Sequence, residues 1–398
     1  MTHRRWYRTA AAVLGLSLAL GCARERPLGP APEAVGPPDP ALVESVIFLV
    51  GDAGEAKSAT HPILTRLRQD IEWWAEQVPR DSAVRVLYLG DIVYPLGMNP
   101  PGADDYPGDS TVVMDQVLVL AGPNAIARHA TGYFLAGNHD WGLETDWEGA
   151  VRVATLSNFL QMAREYTGAA VSMEPAAGTG GPTVVDVGSH VRLILLDTAW
   201  WLLTTEAQGG LQHMGVLKGI EEAMLTAGDR QVFIAAHHPF RTAGPHGGEF
   251  SFWRTFGVRY LLARSGAILQ DVTSIPYREL ERGLRDIFSR VGPPLGFLGG
   301  HEHSLQVLRA VEPLDPAYSV VSGAASKLSS VGTTDGLQFG RSAPGYMRLV
   351  TMQDGSINLY VESVPEQYQS CGGSDEELAA CISAGVAAFE VVHSQQLR

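Results

Sequence analysis

Five times in this chain a short apolar, β-branched run ends in a polar cluster of Asp, Asn or His. That recurrence limits the fold more than any other feature. Residues 46–50 lead into Gly51-Asp52-Ala53-Gly54, residues 84–89 into Gly90-Asp91-Ile92-Val93-Tyr94, and residues 133–136 into Gly137-Asn138-His139-Asp140. Residues 231–236 lead into His237-His238-Pro239, and residues 295–298 into Gly299-Gly300-His301-Glu302-His303. In α/β sheets ligand sites collect at the carboxyl ends of strands, where loops converge on one edge. Side chains distant in sequence are therefore expected to share one pocket.

Amphipathic stretches separate these runs. Residues 61–78 have helical spacing, with Ile63, Leu64, Leu67, Ile71 and Trp74 on one face. Residues 113–129 and 211–225 are helix-compatible, and residues 276–291 form the one helix expected within an insertion spanning 240–294. Residues 183–187 and 191–196 read as neighbouring antiparallel strands around Gly188-Ser189. Strands near 319–321, 346–352 and 357–361 close the core, and residues 376–392 are predicted as a single helix. There is no internal repeat. The alternation predicts the α/β class.

The first residues are a targeting segment. Arg4, Arg5 and Arg8 precede an apolar run over residues 9–20 and then Gly21-Cys22, the pattern of a secretory signal peptide. The run falls short of the roughly 20 residues that a spanning helix needs. Leu18-Ala19-Leu20-Gly21-Cys22 resembles a bacterial lipobox, in which Cys22 is acylated and anchors an exported protein to the cell envelope membrane. Simple cleavage with soluble export and an uncleaved anchor are the alternatives. Residues 23–42 carry Pro27, Pro30, Pro32, Pro37, Pro38 and Pro40, an extended tether. Cys371 and Cys381 are the remaining cysteines. In an oxidising compartment they are expected to pair, the alternative being two free thiols.

With 45% hydrophobic and 18% charged residues the chain is an ordinary globular one. Its net charge of −14 argues against broad nucleic-acid binding. An acidic protein still takes anionic phosphates where bound cations reverse the local field, so cation capture is the property to look for.

Taken singly, a Gly-Asp pair is an ordinary turn. His301-x-His303 stands out more, because alternation along a strand puts both rings on one face. Together and in this order the clusters resemble the calcineurin-like metallophosphoesterase superfamily, and within it most of all the purple (tartrate-resistant type) acid phosphatases. That family's blocks read GDxG, GDxxY, GNH with a following acidic residue, VxxH and GHxH. The fourth block departs modestly here, as Ile234-Ala235-Ala236-His237. The resemblance runs from about Phe48 to His303. It implies a two-sheet β-sandwich flanked by helices, four layers in the order αββα, as a catalytic domain over residues 43–365. A helical tail over 366–398 carries the cysteine pair, after a signal peptide over 1–22 and the linker over 23–42.

The resemblance also implies roles. Asp52, Tyr94 and His303 would hold one metal, Asn138, His237 and His301 a second, and Asp91 would bridge them. Carboxylate and phenolate favour Fe(III), whereas imidazole and amide suit Fe(II), Zn(II) or Mn(II). His139 would serve as general acid, with Asp140 accepting its other ring proton. His246 is either a phosphate contact or proton donor, or an exposed loop residue. His238 and Glu302 are expected to face away from the metals.

The activity implied is binuclear hydrolysis of phosphate esters, acting on monoesters. A phosphodiesterase or nucleotide-directed hydrolase on the same core is one alternative, and a surface lipoprotein binding metal or phosphate without turnover is another. Phe250, Phe252, Trp253 and Phe256 of the insertion form either a rim over the pocket or core.

Overall fold

The computed structural model describes residues 32–143, 147–204, 206–247, 255–264 and 270–398. The signal peptide with Cys22, the start of the linker, and Phe250, Phe252 and Trp253 lie outside the described residues.

Two seven-stranded mixed sheets pack face to face. In the first, β1 (Val43–Val50), β2 (Ala83–Tyr88), β3 (Ala130–Phe134) and β4 (Val171–Met173) run parallel. On the other side of β1 the sheet continues antiparallel through β12 (Gly345–Met352), β13 (Ile357–Ser363) and β14 (Glu390–Gln396). The second sheet contains β5 (Thr183–Val187), β6 (Val191–Leu195), β7 (Gln231–Ala235), β8 (Gly296–Gly299), β9 (Leu305–Arg309), β10 (Tyr318–Ser322) and β11 (Leu337–Arg341). Its order is β11-β9-β10-β8-β7-β6-β5, with β6, β7, β8 and β10 parallel.

Strand alternation explains why the central runs are apolar throughout. On β1, Ile47 and Leu49 point inward and pack with Leu193, Leu195, Phe233 and Leu298 of the opposite sheet. Val46, Phe48 and Val50 point outward, into a core shared with Ile63, Leu64, Leu67, Ile71 and Trp74. Those five residues lie on α1 (Pro62–Gln77), on the face that their spacing predicts. A strand covered on both faces has no polar side to show, so it reads as a continuous apolar run.

The remaining helices are α2 (Tyr106–Leu118), α3 (Asn124–His129), α4 (Trp147–Thr167), α5 (Thr198–Leu203), α6 (Glu206–Leu225), α7 (Val258–Arg264), α8 (Ile275–Val291) and α9 (Asp375–Ala387). Several differ from expectation. The stretch 113–129 is two helices, α2 and α3, separated around Gly122 and Pro123, with Pro123 as the N-cap of α3. The insertion carries α7 besides α8, and neither α4 nor α5 was foreseen. The tail is not one helix. Ser374 and Glu377 form a capping box at the start of α9, which stops at Ala387, and the chain then pairs with β13 as an edge strand from Glu390 to Gln396. Cys371 and Cys381 form a disulfide with Cα atoms 5.8 Å apart, tying α9 to the loop before it. Among the described residues no helix is long and apolar enough to cross a membrane.

Candidate metal centre

Strand ends place the polar clusters together. Asp52 follows β1, Asp91 and Tyr94 follow β2, and Asn138 follows β3, while His237 follows β7 and His301 and His303 follow β8. Loops from the first sheet thus face loops from the second. Asp52, Asp91 and His301 adopt left-handed backbone angles, with φ of 60°, 54° and 67°. Such a conformation costs a non-glycine residue on the order of 1–3 kcal/mol and concentrates at functional sites. Two neighbouring glycines permit the close approach. A Cβ on Gly90 (φ +87°) would lie 2.5 Å from His237 Nδ1, and one on Gly137 would overlap the Asp91 carboxylate.

The donors form two sets. In the first, Tyr94 Oη lies 3.0 Å from Asp52 Oδ1, 2.9 Å from Asp91 Oδ2 and 3.2 Å from His303 Nε2. In the second, His237 Nε2 lies 2.8 Å from Asn138 Oδ1 and 3.4 Å from Asp91 Oδ1. His301 Nδ1 joins it, 3.0 Å from Asn138 Oδ1 and 3.2 Å from His237 Nε2. Asp91 presents one oxygen to each set.

The donor chemistry fits a cation. The other nitrogen of His237, Nδ1, faces the Leu89 carbonyl at 2.8 Å, an acceptor only, so the proton sits on Nδ1 and Nε2 offers a lone pair. That lone pair meets Asn138 Oδ1 and Asp91 Oδ1, which are acceptors too. Acceptors facing one another in a buried pocket are unfavourable without a positive charge among them. Asp52, Asp91 and His303 repeat the pattern, each with a ligand atom within 4.8 Å of the others.

The electrostatics are those of a pocket that waits for positive charge. Burial lowers His237 and holds His301 well below the usual imidazole range, with the neighbouring rings of His238 and His246 adding to the effect on His301. Burial and then His246 bring His303 down to about 3. For all three rings burial favours the neutral form, the form that ligates a metal. Burial, then Asp91, raises Asp52. Burial also works against ionisation of Asp91, but His237 and His139 pull it below the ordinary carboxylate value. Tyr94 is held well above the phenol range by burial and by the two carboxylates, so a phenolate there needs charge that the protein does not supply.

The surrounding residues depart from expectation in instructive ways. His139 lies edge-on to Tyr94, with ring centroids 4.5 Å apart, and its Nε2 is 4.0 Å from Asp91 Oδ2. Its Nδ1 is 2.6 Å from the Pro95 carbonyl, so a main-chain oxygen, and not Asp140, orients the ring. Asp140 is fully buried and accepts from the backbone N–H groups of Gly137 (2.8 Å), Ile92 (2.9 Å) and Val93 (3.1 Å). It clamps the β2 and β3 loops to each other, and burial followed by Asp91 raises it to about 8. Its oxygens face backbone donors of both loops, while the His139 imidazole is turned to the Pro95 carbonyl.

His301 and His303 do not sit on a strand. β8 ends at Gly299 and residues 301–304 form a bend, so the rings diverge into different donor sets and strand alternation is not what places them. His238 does not turn away as expected: its Nδ1 is 2.9 Å from Thr198 Oγ1, but its ring centroid lies 4.4 Å from that of His301. Glu302 does turn from the donors and holds His246, whose ring centroid is 4.7 Å from that of His301. Phe256 is 92% exposed and takes no part in the core. Lys327, unmarked by any sequence pattern, stacks its ammonium on the Tyr94 ring.

No family profile and no curated protein sequence matches the chain. Solved structures do. The purple acid phosphatase PPD1 from yellow lupin (Lupinus luteus) seeds is similar over 90% of this chain, with a TM-score of 0.53 and 16% identity, and the similarity spans 54% of the lupin chain. GAP50, described as the anchor in the inner membrane complex of Plasmodium, is similar over 89% of each chain, with a TM-score of 0.51 and 14% identity. The fold, two mixed sheets flanked by helices, is that of the purple acid phosphatase.

Proposed function

We propose that the protein is a phosphoric ester hydrolase dependent on two metal ions, of the acid-phosphatase type that acts on monoesters. One observation carries the reading. Asp52, Asp91, Tyr94, Asn138, His237, His301 and His303 leave five strand ends in two sheets and converge as two lone-pair-rich donor sets that share Asp91. The likeness to a purple acid phosphatase supports it. In this reading Asp52, Tyr94 and His303 hold Fe(III), Asn138, His237 and His301 hold Fe(II), Zn(II) or Mn(II), and Asp91 bridges. When bound, the pair supplies positive charge against the phosphoryl oxygens and acidifies water near neutral pH.

The chain's own residues do the rest. His139, fixed by the Pro95 carbonyl, holds its Nε2 at the edge of the donor cluster, where it can deliver a proton to the leaving oxygen. Such delivery is worth about 10²–10⁴ in rate. Asp140 keeps the two loops that carry Asp91 and Asn138 in register. His246, whose ring lies beside those of His301 and His303, contacts the phosphate or gives a proton. Export with lipid anchorage on Cys22 belongs to the same proposal, and membrane release of a Cys22→Ser variant is its test.

The likeness to an anchoring protein raises a second reading, a surface lipoprotein that binds metal or phosphate without turnover. Elemental analysis of the purified protein, with p-nitrophenyl phosphate and bis-p-nitrophenyl phosphate as substrates, separates the readings. Two metals per chain with monoester turnover are expected. Turnover of the diester alone makes it a phosphodiesterase, and hydrolysis of neither ester by metal-loaded protein leaves only the binding role.

A further inference from the structure

We infer that Glu302 is a positioning residue for His246, setting the tautomer of its ring and turning its Nε2 toward the pocket that the metal donors line. The part of this inference that concerns phosphate rests on the hydrolase reading above.

Glu302 lies between two of the converging histidines and is fully buried, yet its carboxylate serves neither of them. Both oxygens go to one residue of the insertion. Oε1 accepts from the His246 backbone N–H at 2.9 Å, and Oε2 lies 3.0 Å from His246 Nδ1. The loop is shaped to the carboxylate, since a Cβ on Gly244 would overlap Oε2. From its other side the loop is held by Val272, whose N–H donates to the His246 carbonyl at 3.1 Å.

Burying a carboxylate costs several kcal/mol unless its bonds are made well. Anchoring the loop needs only the backbone bond. The second bond does something else. An ionised carboxylate only accepts, so Nδ1 must carry a proton, and Nε2 on the opposite edge of the ring is the atom left for a ligand. No protein partner meets Nε2 among the described residues. The ring lies beside the donors, with centroids 4.7 Å from His301 and 5.8 Å from His303. Nε2 is thus placed to exchange a hydrogen bond with a phosphate oxygen. His139, held by a neutral carbonyl, flanks the same donors by a different device.

The test has two independent readouts. In metal-free protein labelled with ¹⁵N-histidine, long-range ¹H–¹⁵N spectra at alkaline pH should show His246 protonated on Nδ1, and Glu302→Ala should turn that signal into a mixture of tautomers. In metal-loaded protein, titration with inorganic phosphate should show affinity lower by on the order of 10–100-fold in Glu302→Ala. The double variant Glu302→Ala/His246→Ala should bind no worse than His246→Ala alone. Glu302→Gln, which keeps the volume and one acceptor, should recover part of the affinity and serves where the alanine variant does not fold. An unchanged tautomer signal in both Glu302 variants overturns the inference, as do losses that add in the double variant. Wild-type protein that binds no phosphate overturns the hydrolase reading and the phosphate contact with it, while the tautomer spectrum still tests Glu302 by itself.

Discussion

The ammonium of Lys327 lies 3.5 Å from the centroid of the Tyr94 ring, and the same nitrogen is 3.1 Å from Glu55 Oε1. A cation over an aromatic face stabilises the filled π orbitals of that ring. If Tyr94 is a phenolate on Fe(III), Lys327 raises the energy of its charge-transfer absorption. Iron-loaded Lys327→Met is therefore expected to absorb at longer wavelength than wild type, and Tyr94→Phe to be colourless. Visible spectra decide this, and colour that survives Tyr94→Phe removes the iron–phenolate bond from the account.

Asp91 is the one carboxylate that both donor sets share, with Oδ2 at 2.9 Å from Tyr94 Oη and Oδ1 at 3.4 Å from His237 Nε2. Asp91→Ala should lower metal content below two per chain and reduce ester turnover by more than about 100-fold, the upper end of what loss of a supporting residue costs. Full metal occupancy in this variant would refute the bridging role.

His139 and Asp140 are adjacent in sequence but do different jobs, and their alanine variants should differ in kind. His139→Ala removes a side chain that is bonded only through its ring, so turnover should fall by about 10²–10⁴ while metal content and melting temperature hold. Asp140→Ala leaves the buried N–H groups of Gly137, Ile92 and Val93 without their acceptor, at about 1–3 kcal/mol each. Its melting temperature and metal content should both drop. A stable, metal-replete Asp140→Ala would contradict the clamp.

Asp197 caps α5, accepting from Trp200 N at 2.8 Å, and also accepts from Trp141 Nε1 at 2.9 Å. Burial raises its pKa from 3.8 to about 7 despite these bonds. The fold therefore prefers the protonated form, so this residue's contribution to stability declines as pH climbs from about 4 to about 7 and is flat above. The gap corresponds to at most about 4 kcal/mol. Asn caps a helix as well as Asp and carries no charge. Asp197→Asn should melt higher than wild type at pH 8 and show no advantage at pH 4; an advantage independent of pH would contradict the assignment.

The sequence exposed the skeleton of the site because each cluster of polar residues interrupts an apolar run at a strand end. Ile63, Leu64, Leu67, Ile71 and Trp74 disclosed α1 in the same way, since one face of that helix is buried and the other is wet. α4 was legible too, since Val153, Leu156, Leu160 and Ala163 are buried at helical spacing, but the exposed Met162 on its other side blurs the stripe. β14 was missed because Glu390–Gln396 has no strand alternation, and only pairing with β13 makes it a strand. The break between α2 and α3 was legible at Gly122-Pro123 and was passed over. Within the site, the acceptor for His139 is a main-chain carbonyl, which no side-chain pattern can announce. The bend at 301–304 depends on a left-handed His301, equally silent in the sequence.

Because loops from both β-layers supply the donors, the pocket acts as a rivet between two halves of the molecule. Lone pairs and left-handed turns are crowded together there, and lone pairs that face one another repel. A bound cation would convert that repulsion into cross-bracing, added to the apolar contact between the layers and to hydrogen bonds such as that from Ser322 Oγ to the Leu49 carbonyl. If the proposed metals bind there, their supply would govern how long the molecule lasts as well as what it does.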